Sequence, residues 1–497
     1  MATVKDITNM CRAGQTMAAY EQAKADWQAA PQDVWAQREM GWALYYLIKE
    51  DNANGKGDAL FDRLGTLAQL DLLADDAMLM ENILWKVDEY VKTLRNDDFQ
   101  KVSRLFGLLK TFHFTPSRPY SYLLKLILKF SGWNELGAFI EWWDMEHFLP
   151  EDYQQWETED RKKMMSLVER VYIAYSKELI REGDKDKIAT FIPQMEKLME
   201  QHPDMLYPGY FCGKLMIALG ADADEALKKI APFAKKKSGE FWVWQLLGEL
   251  FSHESSNRQL ACLLRAAHCK TKEMFLGKVR MRIVALLLNN KDYARAKYHI
   301  DRMVRTYLSQ GWRLPYEVQC WARERWVQTT PADSSDPLDF MTITNELLFH
   351  DAKQAIAVIT YVDAANKRVA FVYGTKKRAM VKFAKWNIKV KPGLVAKIKY
   401  TEDNGKMGQV ISAGYGQDTD LNGLDYVKRV KGKVSRKEGQ PFAFLKEGAT
   451  SVFIAPNLLQ QCPCADGEQV EALTVLDYNK KKDAWNWIAV TIKEKTS

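Results

Sequence analysis

Apolar residues recur at helical spacing from about residue 5 to residue 328, as in Trp35, Met40, Leu44 and Leu47, and prolines stay sparse until Pro331. This spacing predicts a nearly all-α region. Beyond it the period changes from 3.6 to 2. Short β-rich runs then follow at 355–362, 368–373, 380–383, 394–400 and 409–413. After the Gly414-Tyr-Gly416 and Asn422-Gly423 turns the same order returns, at 427–434, 441–446, 451–454, 470–478 and 485–492. Between the two regimes, Thr329-Thr-Pro-Ala-Asp-Ser-Ser-Asp-Pro337 is rich in turn and helix-breaking residues. The pattern therefore predicts a multidomain α plus β chain: a helical repeat domain at 1–328, a linker at 329–341, and two five-stranded barrels at 342–415 and 424–497.

The helical region repeats itself imperfectly. In Phe241-Trp-Val-Trp-Gln-Leu-Leu-Gly-Glu-Leu-Phe251, the residues Trp244, Leu247, Gly248 and Phe251 match the W-x2-L-G-x2-[YF] signature of a tetratricopeptide (TPR) first helix. Lys291-Asp-Tyr-Ala-Arg-Ala-Lys-Tyr298 is similar to a TPR second helix, with small Ala294 expected at the tight crossing and Ala261 at the equivalent place one repeat earlier. Ala19, Ala23, Pro31 and Gly41 fall in mutual register near the N-terminus, and Gly132-Trp-Asn-Glu-Leu-Gly-Ala138 is a weaker echo. The region thus resembles an irregular α-solenoid of TPR-like helical hairpins. That resemblance implies a surface for a protein partner, because stacked hairpins contact only their neighbours. Trp142, Trp143, Trp321 and Trp326, at helical spacing, are assigned to packing.

Charge changes the picture once it is divided along the chain. Residues 350–497 hold 25 Lys and Arg against 15 Asp and Glu, a net charge of +10, whereas the preceding residues carry −3. Such an asymmetry is the footprint of a polyanion-binding module joined to a neutral scaffold. No apolar run approaches the ~18 residues of a membrane span, and no basic leader precedes one. Seven scattered cysteines suit free thiols in a reducing compartment. A cytoplasmic protein with no membrane association is expected.

The second β unit carries the most specific pattern. It contains Gly432-Lys-Val-Ser-Arg-Lys-Glu-Gly-Gln-Pro-Phe-Ala-Phe-Leu445, then Ser451-Val-Phe-Ile454, then Gly467-Glu-Gln-Val470. This run resembles a cold-shock domain, a barrel of the OB type, in which K-G-F-G-F-[IV] and V-F-V-H strands expose aromatic rings to bases. Gln440 and Pro441 replace the first two residues of that motif, Ala443 its second glycine, and Ala455 the histidine. The resemblance implies a stacking platform of Phe442, Phe444 and Phe453, with Lys433, Arg436 and Lys437 meeting phosphate. In the first unit, Phe371 is the retained aromatic, and Lys376, Lys377 and Arg378 are candidates for holding a nucleic-acid backbone. Trp485 and Trp487 are assigned to core or surface packing rather than to a third stacking position.

Chemistry for catalysis is not legible. There is no G-x4-G-K-[ST], H-E-x-x-H, G-x-S-x-G or paired C-x2-C, and Cys462-Pro-Cys464 lacks partners at zinc spacing. His268 and His299 fall in helical segments and are read as packing residues. No catalytic residue, cofactor or metal is expected. The reading is a non-enzymatic adaptor: single-stranded RNA, more readily than DNA, binds the barrels, and an unidentified protein binds the helical repeats. The rival readings are a protein-protein interaction scaffold with structural barrels and, third, an enzyme whose active site these motifs do not reveal.

Overall fold

The computed structural model describes residues 2–494 except 72–75, 161–162, 254–255, 384–385, 387, 404 and 480–482. It divides the chain into two units, Met1–Met341 and Thr342–Ser497. The first is built almost entirely of helices; the second is mostly β-sheet.

In the helical unit many helices pack on a sequence neighbour, whereas Ala77–Thr93 packs chiefly on Val34–Ala53 and Arg118–Ile127. Phe241–Leu250 pairs with Ser256–Ala267, and Gly277–Asn289 pairs with Tyr293–Ser309. Gly248 makes the first of these crossings close: a Cβ there would sit 3.0 Å from the Leu263 side chain. Trp244, Leu247, Phe251 and Ala261 are buried around it. In the second pair the alanine in the core is Ala296, not Ala294. Ala294 is only half-buried, and its carbonyl accepts a hydrogen bond from the Asp333 amide at 3.1 Å. Trp143 is fully buried, whereas Trp142, Trp321 and Trp326 are half-buried. A two-residue antiparallel pair, β1 (Trp156–Glu157) and β2 (Lys163–Met164), interrupts the helices.

The segment expected to be a linker is tied to the helical unit. Arg295 donates to the Ser335 carbonyl and hydroxyl at 3.0 Å each, His268 Nε2 lies 3.2 Å from Asp336 Oδ1, and the His268 ring stacks on Phe340 at 4.8 Å. His299 is buried against Arg280, whose guanidinium donates to Nδ1 at 2.7 Å. Burial and that neighbouring charge press the His299 pKa down to about 3, so it stays neutral and accepts. A helix the periodicity did not predict, Phe340–Phe349, follows where the first barrel was expected to begin.

The ten strands of the second unit coincide with the predicted runs to within a few residues. The first sheet holds β3 (Lys353–Asp363), β4 (Arg368–Gly374), β5 (Lys377–Lys382), β6 (Val395–Asp403) and β7 (Lys406–Tyr415). Its order is β5-β4-β3-β6-β7, and among the described residues β5 and β7 are not hydrogen-bonded together. It is therefore a curled sheet rather than the expected closed barrel. The second holds β8 (Val427–Ser435), β9 (Ala443–Glu447), β10 (Thr450–Ile454), β11 (Gln469–Asn479) and β12 (Ala484–Glu494). This one closes, in the order β10-β12-β11-β8-β9, by a parallel contact between Phe453 and Ile488. The two sheets share one strand order, and only the second completes the ring that defines the OB type. A short helix, Pro456–Gln461, adds Leu459 to the core of the closed barrel, where Cys464 is also buried.

Candidate nucleic-acid interface

Alternation along the closed barrel decides what faces outward. Ala443, Leu445, Val452 and Ile454 enter the core with Val430, Val434, Val470 and Ala472. Their neighbours Phe442, Phe444 and Phe453 must then lie on the outer face. All three are half-buried, and the rings form a triangle with centroid separations of 5.7–5.8 Å. β9 and β10 pair Phe444 directly with Phe453. The departures from the cold-shock pattern fall elsewhere: Ala443 points into the core, and Ala455 caps the short helix.

Basic residues border the triangle. Lys433 on β8 pairs across the sheet with Lys446 on β9, and the next outward pair in register is Ser435 with Phe444. Two lysines placed directly opposite repel, at some cost to the sheet. Among the described residues no carboxylate forms an ion pair with Lys433, Arg436, Lys437 or Lys446. Further down β8, by contrast, Arg429 lies 2.6 Å from Asp418 and Lys431 lies 3.4 Å from Glu471. Arg436 is held at its backbone, where its amide donates to Asp466 Oδ1 at 2.8 Å. Lys446 was not among the residues singled out from the sequence. Its place two residues after Phe444, on the same face of one strand, is the signal that finds it.

Gly432 fixes this surface. A Cβ there would fall 2.1 Å from the Lys446 carbonyl oxygen, so only glycine lets β8 cross β9 so closely. In the sequence Gly432 marks only the start of the motif.

The first sheet corrects the remaining candidates. Phe371 is 1% exposed, in a core with Ile359, Val369, Tyr373 and Tyr400, so it has no face for a base. Arg378 is engaged: it donates to the Tyr478 carbonyl at 3.0 Å and lies 3.4 Å from Asp477. Lys376 and Lys377 are exposed at the turn into β5. The other face of β4 is covered as well. Val358 and Val372 pack with Val427, Leu473, Val475 and Val490 of the closed barrel, and Tyr426 donates to the Ile356 carbonyl at 2.8 Å. Burial holds the Tyr426 pKa up at about 12, so this donor stays protonated. The closed barrel thus turns β11 and β12 toward the first sheet and leaves β9 and β10 with their aromatic rings outward. Trp487 packs partly against the barrel core, with the Lys428 ammonium 4.2 Å from its ring centroid, and Trp485 lies against Tyr478.

A five-stranded closed barrel of OB order, with three aromatic rings on the face of β9 and β10, is the architecture that in other proteins takes oligonucleotides or oligosaccharides. The comparisons agree with that architecture. Residues 428–492 match the family model for the S1/CSD-like domain 2 of the TOTE conflict systems. Residues 206–344 match a domain of unknown function, DUF7017, a stretch that takes in the helical unit from residue 206 onward, the segment at 329–341 included. No curated protein matches the chain. Among the described residues no helix is long and apolar enough to cross a membrane.

Proposed function

We propose that this protein is a non-enzymatic adaptor that holds single-stranded nucleic acid, RNA in preference to DNA, on the outer face of its closed barrel. Phe442, Phe444 and Phe453 stack bases, while Lys433, Lys446, Arg436 and Lys437 neutralise the backbone. The observation that carries this reading is the ring triangle. Three half-buried aromatics outside the core add little to barrel packing, yet each offers a π-face that accepts any base. The match to an S1/CSD-like domain supports the same reading.

The first sheet then acts as a buttress, since both faces of its β4 are buried. We read the helical unit as an irregular stack of TPR-like hairpins that engages a protein partner in the cytoplasm. The name of the matched domain supports a place for this pairing within a conflict system.

Binding of a labelled single-stranded RNA to the full chain, with matched DNA and duplex controls, tests the proposal. A protein-docking barrel predicts no binding and no salt dependence, whereas phosphate neutralisation makes affinity fall steeply with salt. Incubating the same strand with magnesium or manganese and finding it intact supports the adaptor; its degradation or modification contradicts it.

A further inference from the structure

The helical unit contains a cavity that neither its packing nor the barrel explains. It has a volume of about 380 Å³ and lies between the helix Arg118–Ile127, the 3-10 turn Pro150–Tyr153, β1 and the helix Leu167–Glu182. The cations on its wall are Arg118, Lys125 and Arg170; the carboxylates are Glu151 and Asp152.

Both carboxylates are already satisfied. Asp152 accepts from the Ser121 hydroxyl at 2.6 Å and the Leu149 amide at 2.9 Å, and Glu151 accepts from Arg118 at 3.2 Å. Arg170 is different. Its guanidinium is half-buried, and among the described residues it has no hydrogen-bond acceptor and no ion-pair partner. Burial, with nothing to offset it, lowers its pKa. A desolvated guanidinium without an anion is costly, and its planar fork suits an oxyanion. Lys125, on the same wall, is also without a carboxylate partner among the described residues.

The remaining wall is aromatic. Trp156 is 52% exposed and lines the cavity. Tyr122 also lines the cavity, with the Lys92 and Lys125 ammonium groups 4.8 and 5.6 Å from its ring centroid and Trp85 packed beside it at 5.9 Å. A cavity of this volume falls in the range of small-molecule sites. A helix or strand of a partner protein would need a longer groove.

We infer that this cavity binds a nucleoside phosphate, with the phosphate on Arg170 and Lys125 and the base against Trp156 and Tyr122. Two sources offer that chemistry, a free nucleotide and the phosphorylated end of a strand. The inference is independent of the barrel reading, because every residue it uses belongs to the helical unit.

The test is titration of the four ribonucleoside 5′-monophosphates into the full chain carrying Phe442→Ala and Phe444→Ala, followed by tryptophan fluorescence and calorimetry. Uridine, adenosine and inorganic phosphate serve as controls, and 5′-phosphorylated and 5′-hydroxyl oligonucleotides form a second arm. The expected result is saturable binding of a monophosphate or of the 5′-phosphorylated strand, weakened about tenfold or more by Arg170→Ala and partly restored by Arg170→Lys. Binding of the monophosphate identifies a free-nucleotide site; binding confined to the phosphorylated strand identifies a strand end. Trp156→Ala, at an exposed position, gives the same loss if Arg170→Ala does not fold. No binding of either ligand, or binding indifferent to Arg170 and Trp156, overturns the inference.

Discussion

Phe444 and Phe453 sit directly opposite each other on β9 and β10, their ring centroids 5.8 Å apart, while the residues on either side of each enter the barrel core. The pair can therefore be removed without opening a cavity in that core. Phe444→Ala and Phe453→Ala should each weaken single-strand binding by about 1–3 kcal/mol, the worth of one stacked base. Thermal denaturation of each variant should show less than about 1.5 kcal/mol of lost stability, the upper end of what an aromatic pair contributes.

Gly432 behaves in the opposite way. Gly432→Ala forces a methyl group toward the Lys446 carbonyl oxygen at 2.1 Å, so β8 and β9 must separate. Loss of about 1–3 kcal/mol is expected, together with loss of binding, because Phe444 and both lysines sit on those strands and Phe453 pairs with Phe444. Hydrogen exchange should show β9 and β10 unprotected while the helices keep their protection.

The lysines act through charge rather than shape. Lys433→Ala and Lys446→Ala should each lower affinity about equally for every base sequence, and each should reduce the slope of log affinity against log salt by about 1. Lys431→Ala should do less, since Glu471 already lies 3.4 Å from it. Fluorescence anisotropy over a salt series reads both effects.

Asp88 sets a pH dependence in the helical unit. It is fully buried, neither carboxylate oxygen has a hydrogen-bond partner among the described residues, and desolvation pushes its pKa up to about 8, moderated by Lys92 and aided by Glu89. Burial pushes Glu39 up to about 7. For an acid whose folded pKa is raised, the folded state holds the proton more tightly. The destabilisation is therefore full above about pH 8 and is relieved as pH falls toward 4. Asp88→Asn should stabilise the unit by on the order of a few kcal/mol at pH 8, with the advantage shrinking toward pH 4. Chemical denaturation at a series of pH values checks the sign and the window.

The strands and the aromatic triangle were legible in the sequence because a strand exposed on one face alternates, and alternation places Phe442, Phe444 and Lys446 together. Phe371 was misread for the same reason in reverse. Val369-Ala-Phe-Val-Tyr373 is a continuous apolar run, the mark of a strand buried on both faces, and so its aromatic belongs to a core. Arg378 could not have been assigned from the chain alone, since its partners Asp477 and Tyr478 are about a hundred residues away in sequence. The segment at 329–337 has the composition of a linker, yet Arg295 and His268 bind it through side chains that local composition does not reveal. In the same way, period 2 locates the strands of the first sheet but cannot say whether β5 meets β7.

The most direct measurement is the affinity of the full chain for a fluorescent single-stranded RNA, with and without Phe442→Ala and Phe444→Ala, at low and moderate salt. Salt-sensitive binding that the double variant loses, with its fold intact, is the predicted result. Absence of binding at low salt, or equal binding by the folded double variant, would contradict the assignment of the barrel's aromatic face.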